Sequence, residues 1–554
     1  MTENLIARFL AVRSIVPRLA LFALVGSIAC RGVPGPTPTP SGDDSLTNAP
    51  PPLTERGEPG PPVAVLDPRI LTHEAPMPVP PSRQAFVALA DSLLGDPMFR
   101  SAHWGVLVVD PESGDTLYSR NAGKLFMPAS NQKLITGSTA LATLGPEYRF
   151  TTTILGDTAL VDGVLSGDLV VVGTGDPSFS DSLTTSDSLP GGNAMLPMLA
   201  LADSLAAQGI RAIAGRLVRG GDAFPDSTLG YGWGWDDLDY GYSAPVDELI
   251  FNEGYARITV YGGQFPGDSV RVRTSPAATI PLIGSTQVLT TMCCDLRQRV
   301  RWTIDVRGER PLVNLTGTVR RRDSVTVNVA LRNPAAAWLG AFAEALEARG
   351  ITVHGGIAPN LVVDTTGLHV LAERLSPPLR EILPVFEKPS QNQIGEILFK
   401  TLGREVTGFG TADSARAVVE RQLLAWGADS MGFAVRDGSG LSRHDYVSPE
   451  TIVRVLDAMR RHPSFRVFYA ALPVGGVDGT IRERMTGTPA EGNVHAKTGT
   501  IDKARALSGY VTTADGRLLL FSMLANNHVV PNAEVERVQD ALVAMLAALP
   551  GFVE

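Results

Sequence analysis

Two stretches in which helix and strand patterns alternate lie at opposite ends of this 554-residue chain and enclose a long β-rich middle. Ahead of the middle, the pattern predicts an amphipathic helix at 83–94 and strands at 103–109 and 116–119. Behind it, helices return and are followed by three strands and a last helix. Strands flanked by helices at both ends favour one domain that is interrupted by an insertion.

The predicted domain boundaries follow from where these patterns change. We expect an α/β (α+β) domain formed by residues 83–147 and 366–554. Residues 148–365 carry short strands with Gly and Pro turns and predict a mostly β insertion. A nested subdomain is expected inside the insertion at about 253–335.

The first 82 residues carry no pattern of a folded domain. Residues 1–30 combine three arginines with a short apolar run and predict an export signal. The run ends at Cys30 in a sequence similar to a lipoprotein cleavage box, which predicts lipid attachment there; ordinary signal cleavage, with Cys30 as a bystander, is the alternative. Residues 31–82 are dense in Pro, Gly, Ser and Thr and predict a disordered linker. We therefore expect the protein in the periplasm or cell envelope, with a membrane contacted only through a lipid at Cys30.

The composition argues against several classes of function. A net charge of −9, without a basic stripe carrying interleaved aromatic residues, argues against nucleic-acid binding. The three cysteines and eight histidines show neither a zinc-ligand spacing nor a disulfide framework, so we expect no metal site. No cofactor is implied by any motif.

Lysine is scarce in this chain. Only six of the 48 basic residues are lysines, and none of them falls between Lys133 and Lys388. An amine can lose its proton, whereas a guanidinium stays charged. Lysines kept in a chain that otherwise uses arginine therefore support a lysine-dependent site; codon bias is the alternative.

Ser130 and Lys133 form the first candidate motif, Ser-x-x-Lys. Pro128 and the apolar residues after Lys133 predict the start of a helix, on which residues three apart share a face. A neutral, desolvated lysine can take the proton of a serine and make it a nucleophile. The motif alone is weak, because roughly two copies are expected by chance in a chain of this length. A capping serine beside a surface lysine is the alternative.

Two further motifs supply partners for this pair. Ser390 and Asn392 open a predicted helix and offer a hydroxyl and an amide two residues apart. The tripeptide Lys-Thr-Gly at 497–499 lies on a strand predicted at 494–500, and it is expected only about 0.1 times by chance. The three motifs together, each on its proper helix or strand, form the site of penicillin-binding proteins and serine β-lactamases.

The sequence resembles the class C low-molecular-mass penicillin-binding proteins, the D-alanyl-D-alanine carboxypeptidase/endopeptidase type. Further matches to this family lie at 175–177, 242–245, 437–443 and 475–480, and the resemblance covers roughly 83–554. It implies a β-lactamase/transpeptidase-like catalytic domain with a large, mostly β insertion. It also implies a peptidoglycan stem peptide as substrate, β-lactam antibiotics as covalent inhibitors, and no cofactor.

The resemblance gives the first two motifs their roles. Ser130 is the expected nucleophile, and Lys133 is the base that takes its proton. Ser390 is expected to relay a proton to the leaving amine, and Asn392 to position the substrate amide.

The third motif is expected to hold the substrate. Lys497 and Thr498 would bind its terminal carboxylate, and the strand that contains Gly499 would pair with its backbone. The backbone N–H groups of Ser130 and Thr500 are the expected oxyanion hole.

Asp222 and Arg443 lie where the family is thought to read the side chain of the stem peptide. Asp222 would bring a charge from the insertion to face a cationic group. A turn aspartate and a surface salt bridge are the alternative interpretations.

Three functions compete at this point. The leading hypothesis is a D,D-carboxypeptidase, with or without endopeptidase activity on cross-links. A β-lactamase or esterase on the same scaffold would need a dedicated deacylating carboxylate near Ser130 and would leave the long insertion unexplained. A non-catalytic cell-wall-binding module would tolerate loss of Ser130 or Lys133, and both are present.

Overall fold

The structure, a computed structural model, describes residue 80 and residues 82–550 except 158, 187, 190, 276–281, 293–298 and 306–311. The predicted signal at 1–30, Cys30 and nearly all of the predicted linker lie outside the described residues, so these assignments stay predictions. In the described part of the chain, no helix is long and apolar enough to cross a bilayer. The described residues form one compact unit by their contacts, and most domain boundaries therefore stay predictions as well.

The chain first forms one half of a sheet. Helix α1 (Arg83–Leu94) begins after Ser82, whose hydroxyl accepts a hydrogen bond from the Ala85 N–H. Two antiparallel strands and a second helix follow: β1 (His103–Val109), β2 (Thr116–Arg120) and α2 (Gln132–Leu144).

The middle of the chain is mostly β. Its helices are α3 (Met195–Ala207) and α4 (Pro334–Ala348). Its described strands are β3 (Thr151–Gly156), β4 (Leu160–Val161), β5 (Val164–Leu165), β6 (Leu169–Gly173), β7 (Ala212–Ile213), β8 (Leu217–Gly220), β9 (Tyr255–Tyr261), β10 (Arg271–Ser275), β11 (Leu282–Thr291), β12 (Arg299–Asp305), β13 (Leu312–Arg320), β14 (Ser324–Ala330), β15 (Thr352–Val353), β16 (Ile357–Val363) and β17 (His369–Leu375).

These strands form several separate sheets. A mixed five-stranded sheet has the order β16-β8-β6-β3-β17, and a small sheet has the order β15-β7-β5-β4. Helices α3 and α4 pack with them around a cluster that includes Met198, Trp338 and Phe342. Strands β9 to β14 form two three-stranded sheets around their own cluster of Val, Ile and Leu side chains. The nested subdomain predicted at about 253–335 falls on these six strands.

One predicted boundary is wrong. The sequence pattern predicted that the catalytic domain resumes at residue 366. Instead, β17 (His369–Leu375) pairs antiparallel with β3 and completes the sheet of the insertion. Most side chains of β17 are exposed, since it is an edge strand. Its pairing partner lies more than 200 residues earlier, so no local pattern reveals the pairing.

The rest of the chain returns to helices and to the first sheet. Its helices are α5 (Leu379–Glu387), α6 (Asn392–Thr407), α7 (Ala412–Ala425), α8 (Pro449–Arg460), α9 (Phe465–Ala471) and α10 (Asn532–Ala547). Its strands are β18 (Phe433–Ala434), β19 (Tyr446–Val447), β20 (His495–Ile501), β21 (Ala504–Thr512) and β22 (Leu518–Asn526).

The two ends of the described chain build one antiparallel sheet in the order β2-β1-β22-β21-β20. Alternate residues of β1 face opposite sides: Val106 and Val108 pack in a cluster with α1 and α10, whereas Leu107 packs with α2 and α8. Helices therefore cover both faces of the sheet. This mixed architecture confirms the predicted α/β (α+β) class, and it brings α2 and β20 together.

Candidate active site

Ser130 lies in a single 3₁₀ turn, Ala129–Asn131, that leads directly into α2. The sequence predicted a helix from about Pro128. Instead, Ala129 has a left-handed φ of 48°, and the α-helix begins only at Gln132. Alanine rarely adopts this conformation, so the surrounding structure must hold the turn in place.

Two asparagines hold the turn. The Asn526 side chain on β22 accepts from the Met127 N–H at 2.7 Å and donates to the Met127 carbonyl at 3.2 Å. The Asn131 Nδ2 donates to the Lys497 carbonyl on β20 at 2.8 Å. The position of Ser130 is thus tied to two strands of the sheet.

The Lys133 amine has three close neighbours. Its Nζ lies 2.8 Å from the Ser130 Oγ, 2.6 Å from the Asn392 Oδ1 and 2.8 Å from the Ser439 carbonyl oxygen. The amide and carbonyl oxygens can only accept hydrogen bonds, so they take both N–H groups of a neutral amine. The lone pair then faces the Ser130 hydroxyl, which is the geometry of a general base.

Burial favours the neutral form of Lys133. The side chain is fully buried, and desolvation lowers its pKa well below the ordinary value of a lysine. The positive charge of Lys497 lowers this pKa further. The carboxylates of Glu387, Asp437 and Glu396 act in the opposite direction.

Lys497 connects the third motif to the second. Its Nζ donates to the Ser390 Oγ at 2.8 Å and to the Thr498 carbonyl at 3.1 Å. Ser390 lies in the turn between α5 and α6 with a left-handed φ of 64°. Burial lowers the pKa of Lys497 to about 8, and the negative charge of Glu387 raises it.

The three motifs line one cleft, although hundreds of residues separate them in sequence. The cleft has a volume of about 1040 Å³. The motif residues that line it are Ser130, Ser390, Asn392, Thr498 and Gly499. Thr500, which follows the third motif in sequence, lines it as well. The structure thus brings the three motifs into one cleft beside Ser130.

Gly499 allows β20 to approach the Ser130 turn closely. A Cβ at this position would lie 2.4 Å from the Pro128 carbonyl oxygen, well inside van der Waals contact. The next residue, Thr500, is exposed to the cleft beside Ser130. The predicted oxyanion hole requires this proximity, because its two N–H groups come from Ser130 and Thr500.

A loop at 437–442 lies against Lys133. The Asp437 carboxylate accepts from the N–H groups of Gly440 and Ser442, each at 2.7 Å. The Glu396 carboxylate accepts from the Ser439 N–H at 2.8 Å. These two buried carboxylates fix the loop so that the Ser439 carbonyl accepts a hydrogen bond from Lys133.

The arrangement can perform acyl transfer through a serine. It combines a hydroxyl, a base in contact with that hydroxyl, and a second buried cation nearby. Within the described residues, no group of three or more His, Cys, Asp or Glu side chains is placed to hold a metal ion.

Comparison with known proteins agrees with this chemistry. Residues 87–549 match the D-Ala-D-Ala carboxypeptidase 3 (S13) family. The chain belongs to this family. It is therefore a D-alanyl-D-alanine carboxypeptidase of the low-molecular-mass penicillin-binding protein type, as its motifs predicted.

Relatives match the carboxypeptidase over most of its length. A D-alanyl-D-alanine carboxypeptidase of Actinomadura sp. (strain R39) is 35% identical over 486 residues, which cover 83% of this chain and 84% of the relative. The D-alanyl-D-alanine carboxypeptidase DacB of Haemophilus influenzae is 26% identical over 423 residues, or 75% of this chain and 83% of the relative. The crystal structure of penicillin-binding protein 4 from Haemophilus influenzae superposes with a TM-score of 0.70 at 25% identity, covering 83% of this chain and 99% of that one.

Of the two residues that were predicted to read the substrate side chain, Arg443 lies in the lining of the cleft and Asp222 does not. Arg443 lines the cleft, and its guanidinium donates to the Asp502 carbonyl at 3.4 Å. Asp222 is not among the described residues that line the cleft; its carboxylate lies 4.0 Å from the Arg219 guanidinium. The structure gives no support to the predicted role of Asp222, which stays a prediction.

The insertion reaches the cleft through a different segment. Gly234, Asp236, Asp237 and Tyr242 line the cleft of the carboxypeptidase. The Tyr242 hydroxyl donates to the Asp237 carboxylate at 2.5 Å. Sequence analysis reported a family match at 242–245, but it gave no role to the adjacent acidic pair Asp236 and Asp237, which was a visible signal in a segment rich in Gly and aromatic residues.

We predict that Gly440→Ala disables the site through a steric clash. A Cβ on Gly440 would lie 1.8 Å from the Ala129 carbonyl oxygen, so the Ser130 turn must shift. We expect acylation by penicillin to slow about 100-fold, because displacements near 1 Å have effects of this size.

The matched control is Gly408→Ala. Gly408 also has a positive φ, 85°, but nothing lies within 4 Å of an added Cβ. This variant should lose about 1 kcal/mol of stability from backbone strain and keep the wild-type acylation rate. Equal acylation rates in the two variants would contradict the predicted clash.

Proposed function

We propose that this carboxypeptidase hydrolyses the bond between the last two D-alanines of a peptidoglycan stem peptide through an acyl-enzyme on Ser130. The observation that carries the proposal is the 2.8 Å contact between the Lys133 amine and the Ser130 hydroxyl. Both other hydrogen-bond partners of that amine are acceptors, which favours the neutral base.

Acylation begins when Lys133 takes the proton of Ser130 and the serine oxygen attacks the carbonyl carbon. The negative charge on the former carbonyl oxygen is stabilised by the N–H groups of Ser130 and Thr500. The bond to the leaving D-alanine then breaks. Ser390, which accepts a hydrogen bond from Lys497, relays the proton that Lys133 took: it gives its own proton to the leaving nitrogen and receives the proton of Lys133, which becomes neutral again. Water hydrolyses the ester and restores the serine.

Lys497 and Thr498 are proposed to hold the terminal carboxylate. The Thr498 hydroxyl lies in the cleft, 2.7 Å from the Thr480 hydroxyl. A buried lysine beside two hydroxyls offers both charge and hydrogen bonds to a carboxylate. A β-lactam that carries a carboxylate next to its strained amide would use the same contacts and acylate Ser130.

The β-lactamase alternative gains no support from the hydrogen bonds around Lys133. Rapid deacylation needs a carboxylate that activates water beside the acyl-enzyme. Among the described residues, the hydrogen-bond partners of Lys133 are a hydroxyl, an amide oxygen and a carbonyl oxygen. The carboxylates that act on this amine, those of Glu387, Asp437 and Glu396, are buried, and none of them is among the described residues that line the cleft.

We predict that wild type forms a long-lived adduct with a fluorescent penicillin and that Ser130→Ala forms none. Peptide turnover should fall by on the order of 10⁴-fold or more, because no nucleophile remains. Ser138→Ala is the matched control: this serine is buried on the same helix, its Oγ has no partner among the described residues, and its loss should leave labelling unchanged. Rapid loss of label from wild type would favour the β-lactamase, and absence of label would contradict both enzymes.

We predict a bell-shaped pH dependence of kcat/KM. Lys133 must be neutral, so activity rises as the pH increases through its lowered pKa. Lys497 must be charged, so activity falls as the pH rises through about 8. Lys497→Arg should lose the alkaline limb near pH 8, since arginine stays charged, while Lys503→Arg at an exposed position should keep it. A wild-type profile that stays flat to pH 10 would contradict the assignment to Lys497.

We also propose that the cleft accepts a stem-peptide side chain with both an amino and a carboxylate group. Asp236 and Asp237 offer negative charge, and Arg443 offers positive charge along the same cleft. Arg482 also lines the cleft, whose volume of about 1040 Å³ leaves room for a leaving group larger than D-alanine. Endopeptidase activity therefore stays a prediction that cross-linked peptides would test.

We predict that Asp236→Asn raises KM about tenfold for a peptide with a cationic side chain, because a charge-assisted hydrogen bond is lost. KM for the same peptide with an alanine side chain should stay unchanged. Asp413→Asn is the control, because its carboxylate is exposed on α7 away from the cleft residues. An equal rise in KM for both peptides would contradict recognition of the side chain by Asp236.

A further inference from the structure

Glu387 is a buried carboxylate that the proposed mechanism does not use. It is the last residue of α5, and its exposed fraction is 0%. Neither of its carboxylate oxygens has a hydrogen-bond partner among the described residues. A carboxylate without a donor is costly to bury unless positive charge compensates it.

The fold makes room for this carboxylate next to the Lys133 helix. Gly137 lies four residues, about one turn, after Lys133 on α2 and therefore on the same face. A Cβ at Gly137 would lie 2.7 Å from the Glu387 Oε1. The missing side chain leaves the space that the carboxylate occupies.

Glu387 also belongs to the turn that carries Ser390. The Ser390 N–H donates to the Glu387 carbonyl at 3.2 Å, and the Gln391 N–H donates to the Phe386 carbonyl at 2.9 Å. The left-handed φ of Ser390 closes this turn. The carboxylate and the Ser390 hydroxyl are thus positioned by the same few residues.

The charged groups that face this region come from four elements. Lys133 lies on α2, Lys497 on β20, Glu396 on α6 and Asp437 in the loop before β19. Burial raises the pKa of Glu387 to about 7, while the positive charges of Lys497 and Lys133 lower it. In turn, the charge of Glu387 raises the pKa of both lysines.

We propose that Glu387 is a positioning residue whose carboxylate is the counter-charge of the Lys133–Lys497 pair and keeps one proton on that pair. When Glu387 is ionised, Lys497 charged and Lys133 neutral, these three buried groups sum to zero charge. Asp437 and Glu396 are left out of this sum because both accept backbone N–H hydrogen bonds, whereas Glu387 accepts none from the described residues. Within the three groups, a second proton would leave a net positive charge, and loss of the last proton would leave a net negative charge. The inference rests on the roles proposed for Ser130, Lys133 and Lys497.

Glu387 acts through the lysines and not on substrate: Lys133 and Lys497 hydrogen-bond to Ser130 and Ser390 in the cleft, whereas the Glu387 carboxylate hydrogen-bonds to none of the described residues. Glu387→Gln keeps the shape of the side chain and removes the charge. The pKa of both lysines should then fall. Both limbs of the kcat/KM profile should move to lower pH by about one unit, the size of shift expected for one nearby charge. Above pH 8, KM should rise about tenfold, because fewer molecules hold a charged Lys497.

A structural role alone would not move the pH profile. The matched control is Glu381→Gln, on the same helix but with an exposed side chain, and its profile should superpose on that of wild type. Glu387→Asp keeps the charge and should restore most of the wild-type profile. Loss of the counter-charge should lower the stability of Glu387→Gln, so thermal unfolding is measured to show that the variant is folded at the assay temperature.

A second measurement reads the lysines without using activity. The chain has six lysines, so lysine labelled with carbon-13 at Cε gives six signals that can be titrated by NMR. In wild type at pH 7, we expect one of the Lys133 and Lys497 signals to be charged and the other neutral. In Glu387→Gln, both should titrate at lower pH.

Two results would overturn the inference. One is a Glu387→Gln profile with both limbs at their wild-type pH. The other, which needs no variant to fold, is a wild-type titration that shows both lysines charged or both neutral at pH 7. Failure of the proposed function looks different: Ser130→Ala would still form the penicillin adduct, whatever the lysine titrations show.

Discussion

The contact between the Lys133 amine and the Ser130 hydroxyl depends on removing water from a lysine. An exposed lysine would be charged at neutral pH and could not take a proton. Here the amine is fully buried and is surrounded by oxygens from a turn, a helix and a loop. Because those oxygens come from residues 130, 392 and 439, the base exists only when distant parts of the chain are folded together. The local Ser-x-x-Lys sequence supplies the reacting groups, and tertiary packing supplies the chemistry.

Close backbone approach is the second requirement, and it explains two glycines. Gly499 lets β20 lie against Pro128, and Gly440 lets the 437–442 loop lie against Ala129. The left-handed conformation of Ala129 is held between them and by the hydrogen bonds around Met127 and Asn131. Strained backbone conformations of this kind concentrate at functional sites. They persist there because many surrounding contacts hold the backbone in place.

Sequence could predict the parts of this protein whose signal is local. The two ends of the sheet, the order of the motifs and the buried lysines follow from periodicity, short motifs and the scarcity of lysine. Edge strand β17 was missed, because its pairing with β3 is non-local and its side chains are mostly exposed. Asp222 was named from the family resemblance and Asp236 was not considered, because only the fold shows which aspartates of the insertion reach the cleft.

Glu387 could not be recognised as a buried residue from the sequence. A glutamate at the end of an amphipathic helix gives no sign that it is buried, and the space it needs is created by Gly137, 250 residues earlier. Its proposed role follows from the summed charge of Glu387, Lys133 and Lys497, which are buried together. Sequence composition and motif spacing cannot give this sum, because it depends on which ionisable groups the fold buries together.

The insertion contributes residues to the lining of the cleft and also holds an active-site side chain in place. The Asn392 Nδ2 donates to the Tyr242 carbonyl at 2.7 Å, and the Gln393 Nε2 donates to carbonyls of the same segment at 3.1 and 3.2 Å. The Oδ1 atom of the same Asn392 amide accepts a hydrogen bond from the Lys133 amine. An amide that donates to the insertion can present only its oxygen to the lysine, so this contact fixes the orientation of Asn392. The long insertion therefore helps to hold the acceptor that keeps the lysine lone pair directed at Ser130.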